Sequence, residues 1–197
     1  TNLRQFGKDY GASQAAMARQ RLIGIGAVRA NPYLLGHNVT SLLDVPTSGE
    51  GVLDSQRHPK PGMTEVMPEV WAPLRLCLFT EPYSLYRKRN VQLEAVLANE
   101  DVLGPGRYQV ALTIADDTDN VVWKRTVSCV VPEGEPPFAI PLFSEQVCAD
   151  WSSGRYRFRA ELVGRPDAAG GEAMVYVADS ADMPRVDAQV TLWGQDD

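Results

Sequence analysis

The sequence has few residues of the kinds that bind metal ions. It contains three cysteines and two histidines among 197 residues. No two cysteines stand in a Cys-x-x-Cys spacing, and an odd, sparse count argues against a disulfide framework. Cys77 and Cys129 lie in strand-like runs, where they are either buried free thiols or the two ends of one bridge. We therefore expect no metal site and no cofactor in this chain.

Long apolar runs and an excess of positive charge are missing as well. No stretch of about 18 apolar residues is present, so no membrane span is predicted. Lysine and arginine total 19 against 25 aspartates and glutamates, which gives a formal net charge of −6. Binding to a phosphate backbone requires concentrated basic residues. Nucleic acid is therefore not an expected partner.

Signatures of the common catalytic sites are also lacking. The sequence contains no Gly-x-Ser-x-Gly nucleophile elbow. The run GIGAVR at 24–29 lies inside a predicted helix rather than after a strand, so it is not a dinucleotide-binding loop. Asn99-Glu100 looks like the pair that carries the acid in many glycosidases, but it follows a strand and is interpreted as a polar turn. The residues alone predict no catalytic pair.

The N-terminal part of the chain has the pattern of a helix followed by a strand. Residues 10–30 carry one apolar stripe, and Asn31-Pro32 ends the predicted helix because the residue before proline avoids the α region. The run from Tyr33 to Asp44 has apolar residues on both faces. This pattern predicts a strand covered on both sides, as in a parallel sheet.

From Pro73 onward the apolar period changes to two. Seven short alternating runs separated by turn signals occupy residues 73–180. This is the pattern of an immunoglobulin-like β-sandwich. Residues 181–197 alternate too, and they predict a C-terminal strand that is either an eighth strand of the sandwich or the start of a further domain. The expected fold is mainly β, with the sandwich preceded by one helix and one strand.

A connector rich in proline, residues 49–72, joins the two parts. It holds Asp54, Arg57, His58 and Lys60 in a short span, which is the density of ionisable groups expected of a site. Pro59 and Pro61 fix the backbone angle φ, which is also typical of a rigid connector. Both interpretations remain open from composition.

A specific motif runs through this region. The motif begins with a helix that ends near an Asn-Pro. A strand of the form Gly-apolar-x-apolar-Thr then reaches an Asp. A loop of the form Gly-apolar-apolar-Asp-x-x-Arg-x-Pro-Lys-Pro follows. These positions are Asn31-Pro32, Gly36, Val39-Thr40, Asp44, Gly51-Val52-Leu53-Asp54, Arg57 and Pro59-Lys60-Pro61. The run resembles the end of the catalytic barrel of family 2 glycoside hydrolases, the β-galactosidase and β-glucuronidase family.

The resemblance implies that residues 1–48 correspond to the last helix and strand of a TIM barrel. Active sites of such barrels lie at the carboxyl ends of the strands. The substrate-site rim would then hold Asp44, Asp54, Arg57 and Lys60. The family's two catalytic glutamates belong to earlier strands that this chain does not contain. Val45-Pro46-Thr47 stands where family members usually carry a tryptophan.

Two functions are therefore expected. In the first, the chain is a non-catalytic C-terminal part of a glycosidase, its partner is the rest of the barrel, and its sandwich is an accessory domain. In the second, it is a carbohydrate-binding or protein-interaction sandwich without enzymatic activity. Aromatic residues at loop-like positions are then candidates for stacking on sugars, although such residues also cap core edges. They are Trp71, Tyr83, Tyr86 and Trp151.

Overall fold

The computed structural model describes residues 10–34, 36–45, 49–134, 137–184 and 187. In this part of the chain two helices precede the strands, and a short 3-10 turn, Ser180–Asp182, follows them. The helices are α1 (Tyr10–Arg29) and α2 (Met63–Val70). The strands are β1 (Leu74–Glu81), β2 (Ser84–Tyr86), β3 (Asn90–Asn99), β4 (Gly106–Asp116), β5 (Val121–Val131), β6 (Ala139–Cys148), β7 (Gly154–Leu162), β8 (Ala169–Gly170) and β9 (Glu172–Ala178).

The strands form two sheets, with the orders β6-β3-β1-β8 and β2-β9-β7-β4-β5. The long strands pair antiparallel, whereas the short strands β2 and β8 pair parallel to β9 and β1. Consecutive strands such as β3 and β4 lie in different sheets, which is the connectivity of an immunoglobulin-like sandwich. The expectation of a mainly β fold with an N-terminal helix is confirmed.

The core lies between the two sheets. Because successive side chains of a strand point to opposite faces, alternate residues of each strand reach it. Trp123 of β5 packs there against Phe143 and Phe158, with ring centroids 5.7 and 6.3 Å away. Each large apolar side chain buried in this layer contributes roughly 1.5–3 kcal/mol relative to an exposed one.

Strand β1 is buried on both faces. Leu74 and Leu76 face the sandwich core, while Arg75 and Cys77, which have the opposite parity, are buried too. Helix α1 packs against α2 and against β1, and α2 lies against β8. The outer face of β1 is therefore covered by helices instead of solvent.

The strand predicted over Tyr33–Asp44 is wrong for the described residues. Residues 36–42 have no regular structure, and Leu43 forms one isolated bridge with Leu53. Leu42 is 66% exposed. A strand covered on both faces needs paired neighbours along its edges. The described part of the chain offers this segment only the single bridge, so its apolar residues stay outside a sheet.

Helix α2 lies within the segment predicted to be a connector. Its residues Met63 and Val70 are fully buried. The helix starts after Gly62, whose φ is 79° and whose added Cβ would lie 3.1 Å from the Cβ of Ala18. Glycine therefore suits both the left-handed turn and the close approach to α1.

The predicted C-terminal strand falls mostly outside the described residues, because 185, 186 and 188–197 are not among them. Within the described ranges, neither helix is long and apolar enough to cross a membrane.

Candidate functional site at the joint between helices and sandwich

A buried ion pair lies at the centre of the connector. Lys60 is only 2% exposed, and its Nζ donates to Oδ1 of Asp44 at 2.6 Å. The same ammonium donates to the carbonyl oxygen of Gly49, also at 2.6 Å. Oδ1 of Asp44 further accepts the backbone N–H of Gly51 at 2.7 Å. These bonds tie the two ends of the 44–60 loop together.

Gly51 allows this loop to close. A Cβ added at Gly51 would lie 2.5 Å from the backbone nitrogen of Asp44 and 2.5 Å from the carbonyl carbon of Leu43. No real side chain fits such distances. At this crossing Leu53 N–H donates to Leu42 O and Asp44 N–H donates to Leu53 O. The glycine that begins the loop part of the motif is therefore needed for the backbone crossing itself.

Asp54 shapes the next turn. Its Oδ1 accepts the backbone N–H groups of Gln56 at 2.8 Å and His58 at 2.9 Å. The hydrogen bond from the His58 backbone is the main reason why the pKa of Asp54 lies below its ordinary value. Arg57 is exposed, and its backbone has a left-handed conformation with a φ of 70°. Its backbone N–H donates to Asp54 O. Both residues have structural contacts within the turn.

The structure thus brings together two of the four predicted rim residues. Asp44 and Lys60 form one pair, while Asp54 and Arg57 form the adjacent turn. Over the described ranges no hydrogen bond joins the pair to the side chain of Asp54 or Arg57. The pair already has protein partners, because the ammonium donates to two acceptors and Oδ1 accepts from two donors.

A second set of contacts joins α1 and α2 to the sandwich. The Arg29 guanidinium is buried and donates to the carbonyl oxygens of Val70 at 2.8 Å and Ala72 at 2.6 Å. It also donates to Oε1 of Glu100 at 2.9 Å and lies over the Phe138 ring. Burial lowers the pKa of Arg29, and the charge of Glu100 opposes that shift. One side chain of α1 thereby contacts α2, the α2–β1 link and the turn after β3.

Arg75 makes a similar contact from the sandwich side. Its Nη1 donates to the backbone oxygen of Glu69 at 2.9 Å and lies 3.3 Å from Oε1 of the same residue. The neighbouring Cys77 thiol is buried, and burial raises its pKa. Sequence reasoning missed both Arg29 and Arg75. The one available signal was that an arginine and a cysteine share the outward face of β1, which a covering helix would explain.

Two observations on the described residues bear on metal binding and on acid catalysis. These residues contain no cluster of three or more His, Cys, Asp or Glu side chains that could hold a metal ion. The clear pKa shifts of carboxyl groups are all downward and are caused first by hydrogen bonds, which favour the charged form. A general acid working near neutral pH requires the opposite shift. The shifted groups are Asp54, Asp116, Asp167 and Asp179.

Two of the aromatic candidates for sugar stacking are on the surface. Tyr83 is 63% exposed and Tyr86 is 53% exposed. Trp151, by contrast, is only 9% exposed and belongs to the core, with its ring centroid 5.0 Å from that of Tyr156. The expectation that Trp151 stacks on a sugar is therefore corrected, because its ring faces are already covered. Trp71 is exposed on one side and stacked on His37 on the other, with centroids 4.7 Å apart.

A cavity of about 520 Å³ opens beside β1 and β7. Its lining includes Leu76, Ala160, Leu162, Arg165 and Pro166. None of the predicted rim or stacking residues lines it. Arg165, one of the charged residues of this lining, is already paired with Asp167 at 2.8 Å.

Comparisons with known proteins concern the fold alone. No family model matches the chain, and no curated protein matches it. Among solved structures, the CARDB domain of a Pyrococcus furiosus protein has a TM-score of 0.37 and 14% identity, over 53% of this chain and 87% of that one. The alkylpurine DNA glycosylase AlkC of Pseudomonas fluorescens has a TM-score of 0.39 and 12% identity, over 59% and 32%.

A glycosyl hydrolase family 2 member from Bacteroides cellulosilyticus has a TM-score of 0.37 and 17% identity, over 52% of this chain. The chain spans only 15% of the length of that hydrolase. Members of this family are thus among the structural neighbours, at the level of the sandwich fold. Such low similarity carries no argument about function.

Proposed function

We propose that this chain is a C-terminal part of a family 2-like glycoside hydrolase and is not catalytic by itself. In this proposal the sandwich is an accessory domain, and the residues up to 72 join it to a catalytic barrel that is the partner of this chain. The proposal rests on the motif around Asp44 and Lys60, and the single observation that carries it is the buried Asp44–Lys60 joint.

The motif residues support this role because each has a definite structural contact. Lys60 holds Asp44 and Gly49, Gly51 permits the backbone crossing, and Asp54 forms the following turn. A loop closed in this way by buried, charge-assisted bonds is a rigid link. A rigid link is what an accessory domain needs in order to hold a fixed position beside a catalytic domain.

The two buried arginines support the same role. Arg29 and Arg75 both donate to backbone oxygens at the C-terminal end of α2, where the helix dipole favours positive charge. Removing the Arg29 guanidinium would take a donor from the carbonyl oxygens of Val70 and Ala72, which is costly because the Val70 bond is buried. The helices are therefore held tightly on the outer face of the β6-β3-β1-β8 sheet.

An activity assay tests the absence of catalysis. The isolated chain is incubated with aryl β-glycosides of several sugars, and release of the aryl group is followed. We expect no turnover above that of a heat-denatured sample. Turnover that disappears on Glu100→Gln or Asp44→Asn would contradict the proposal.

The coding sequence ahead of Thr1 tests the parentage. We expect it to encode an Asn-Glu pair and a second glutamate at the ends of barrel strands, because retaining glycosidases need two carboxylates. A reading frame without these carboxylates would contradict the proposed glycosidase parentage. Only the function of the sandwich would then remain to be explained.

A second function is favoured by one observation, the exposure of Tyr83 and Tyr86 at neighbouring positions of one sheet edge. In this alternative the sandwich is a binding module, and carbohydrate is its candidate ligand. Saturable binding of a glycan in titration calorimetry, lost on Tyr86→Ala, would support it. An absence of binding heat across a glycan panel would argue against it.

A further inference from the structure

We propose that a neutral saccharide binds at the outer face of the β2-β9-β7 edge, on a surface formed by Tyr83, Ser84, Tyr86, Arg155 and Tyr176. We call this surface the tyrosine patch. The inference rests on the second function above and is independent of the glycosidase parentage. It assigns to that function a location and two residues, Tyr176 and Arg155, that sequence reasoning did not single out.

The register of the strands places Ser84, Tyr86, Tyr176 and Arg155 on one face. Tyr83 directly precedes β2 and joins this surface through its ring contact with Tyr176. Strand β2 runs parallel to β9, with Ser84 opposite Tyr176 and Tyr86 opposite Ala178. Leu85, between Ser84 and Tyr86, is buried in the core. Because neighbouring residues of a strand alternate between faces, Ser84 and Tyr86 lie on the outer face.

Tyr176 lies on the same outer face. Its neighbours Val175 and Val177 are both buried in the core. The side chain of Tyr176 therefore points to the opposite face of the sheet. Across the adjacent strand β7, Arg155 is its direct partner in register. The patch therefore crosses three strands, from β2 through β9 to β7.

The tyrosines are held in place before any ligand arrives. The Tyr176 N–H donates to Tyr83 O at 2.8 Å, which fixes the two backbones. The rings of Tyr83 and Tyr176 are 5.8 Å apart and nearly perpendicular, at 86°. Such an edge-to-face contact leaves one face of a ring open, and Tyr has only two side-chain torsions to immobilise. An exposed, pre-organised ring can cover the C–H face of a sugar at low entropic cost.

Fixed polar groups flank the rings on two sides. Arg155 Nε donates to Oδ1 of Asp117 at 2.8 Å. Beyond Tyr86, Arg87 donates to Asp150 at 2.7 Å and to Asp179 at 3.0 Å. Sugar hydroxyls both donate and accept hydrogen bonds, so paired guanidinium and carboxylate groups suit them. Both guanidinium groups are already paired with aspartates, which disfavours an anionic ligand and points to a neutral one.

The size of the patch favours a saccharide over a folded protein. Neighbouring strands are about 4.8 Å apart, so three strands extend over roughly 10 Å. A stable protein interface buries about 800 Å² on each partner and has a desolvated apolar centre. The tyrosines are instead bordered closely by exposed ion pairs. One or two sugar rings match this area.

Affinity electrophoresis tests the inference. The full chain is run in native gels that contain galactan, xylan or barley β-glucan, and in a gel with polygalacturonate as the anionic comparison. We expect at least one neutral polysaccharide to retard the chain. Tyr83→Ala and Tyr176→Ala should each weaken retardation about tenfold, which corresponds to losing one good aromatic contact. Tyr83→Phe should keep most of it, and Arg155→Gln should lose part of it.

Tyr33→Ala is the matched control, because Tyr33 is 89% exposed but lies far along the chain, after α1. It should leave retardation unchanged. Circular dichroism identifies any variant that fails to fold. Among the folded variants, the difference in retardation between Tyr83→Ala and Tyr83→Phe then shows whether the aromatic ring binds the saccharide. The inference is overturned by no retardation in any neutral gel, by equal loss in Tyr33→Ala, or by retardation only with polygalacturonate. The accessory role is separate, because the hydrolysis assay and the upstream sequence test it.

Discussion

Lys60 Nζ and Asp44 Oδ1 lie 2.6 Å apart, although the two residues are separated by 16 positions in the sequence. The lysine side chain is 1% exposed and the aspartate side chain 14%. Burying an ammonium is costly unless a carboxylate and further acceptors compensate it. Here the carboxylate and the carbonyl oxygen of Gly49 do so. The pair therefore specifies how the connector folds more than it adds to net stability.

Lys60→Met should destabilise the chain by about 3 kcal/mol, because it leaves a partly buried carboxylate without its partner. Urea unfolding followed by tryptophan fluorescence measures the free energy of unfolding. The double variant with Asp44→Leu should recover part of the loss, since an apolar pair avoids the burial of charge.

Lys124→Met is the control for this experiment, because Lys124 is exposed on β5. Its effect should stay within about 0.5 kcal/mol. Equal losses in Lys60→Met and Lys124→Met would show that the buried pair has no special role.

Arg29→Met should cost about 3 kcal/mol, because the Val70 and Ala72 carbonyls and Glu100 lose their donor. Arg29→Lys should recover only part of this, since an ammonium cannot reproduce the planar fork of a guanidinium. Thermal unfolding of both variants gives the comparison. Arg19→Met, at an exposed position of the same helix, should change the melting temperature little. A loss in Arg19→Met as large as in Arg29→Met would contradict the proposed clamp.

The sandwich could be predicted because the sequence pattern of each strand depends only on residues close together in the chain. Alternation with a period of two, interrupted by turns, is visible wherever a strand has one buried face. Strands β2 and β8 were missed because two or three residues cannot show a period. In β6, the register shifts opposite Ala95 and Val96, and Phe143 is buried in the core while Leu142 is only partly buried. A bulge of this kind leaves no mark in the pattern.

The joint could be located but not interpreted from sequence. The motif identified Asp44 and Lys60, yet sequence spacing could not show that they contact each other across the loop. Apolar residues on both faces of 33–44 gave the same pattern as a buried strand, although the segment lacks strand partners in the described part of the chain. Trp151 was misplaced because an aromatic residue in a loop can point either outward or into the core. Tertiary contacts decide each of these cases.

The three cysteines should differ sharply in reactivity. Cys77 and Cys129 are buried free thiols, and burial raises the pKa of both, while Cys148 is exposed. Because the thiolate is the reactive form, we expect one thiol per chain to react rapidly with Ellman's reagent in the native protein. All three should react after unfolding in guanidinium chloride. Cys148→Ser should abolish the rapid phase, and a rapid phase that survives this change would contradict the burial of the other two.

The turn at Asp54 should lose stability in acid. The backbone N–H groups of His58 and Gln56 stabilise the carboxylate and lower its pKa from the ordinary value of 3.8. The folded chain therefore binds fewer protons than the unfolded chain in this range, so stability rises with pH. The contribution is fully present above pH 3.8 and disappears as the pH falls through the lower folded value.

Asp54→Ala tests this dependence, because the difference in unfolding free energy between it and the wild type should shrink as the pH falls below 3.8. Asp54→Asn keeps an oxygen that accepts the same N–H bonds but cannot titrate. Its stability relative to Asp54→Ala should therefore change little with pH. Urea unfolding at pH values on both sides of 3.8 measures all three proteins. A difference between wild type and Asp54→Ala that stays constant through this range would show that the turn does not hold the charged form of Asp54.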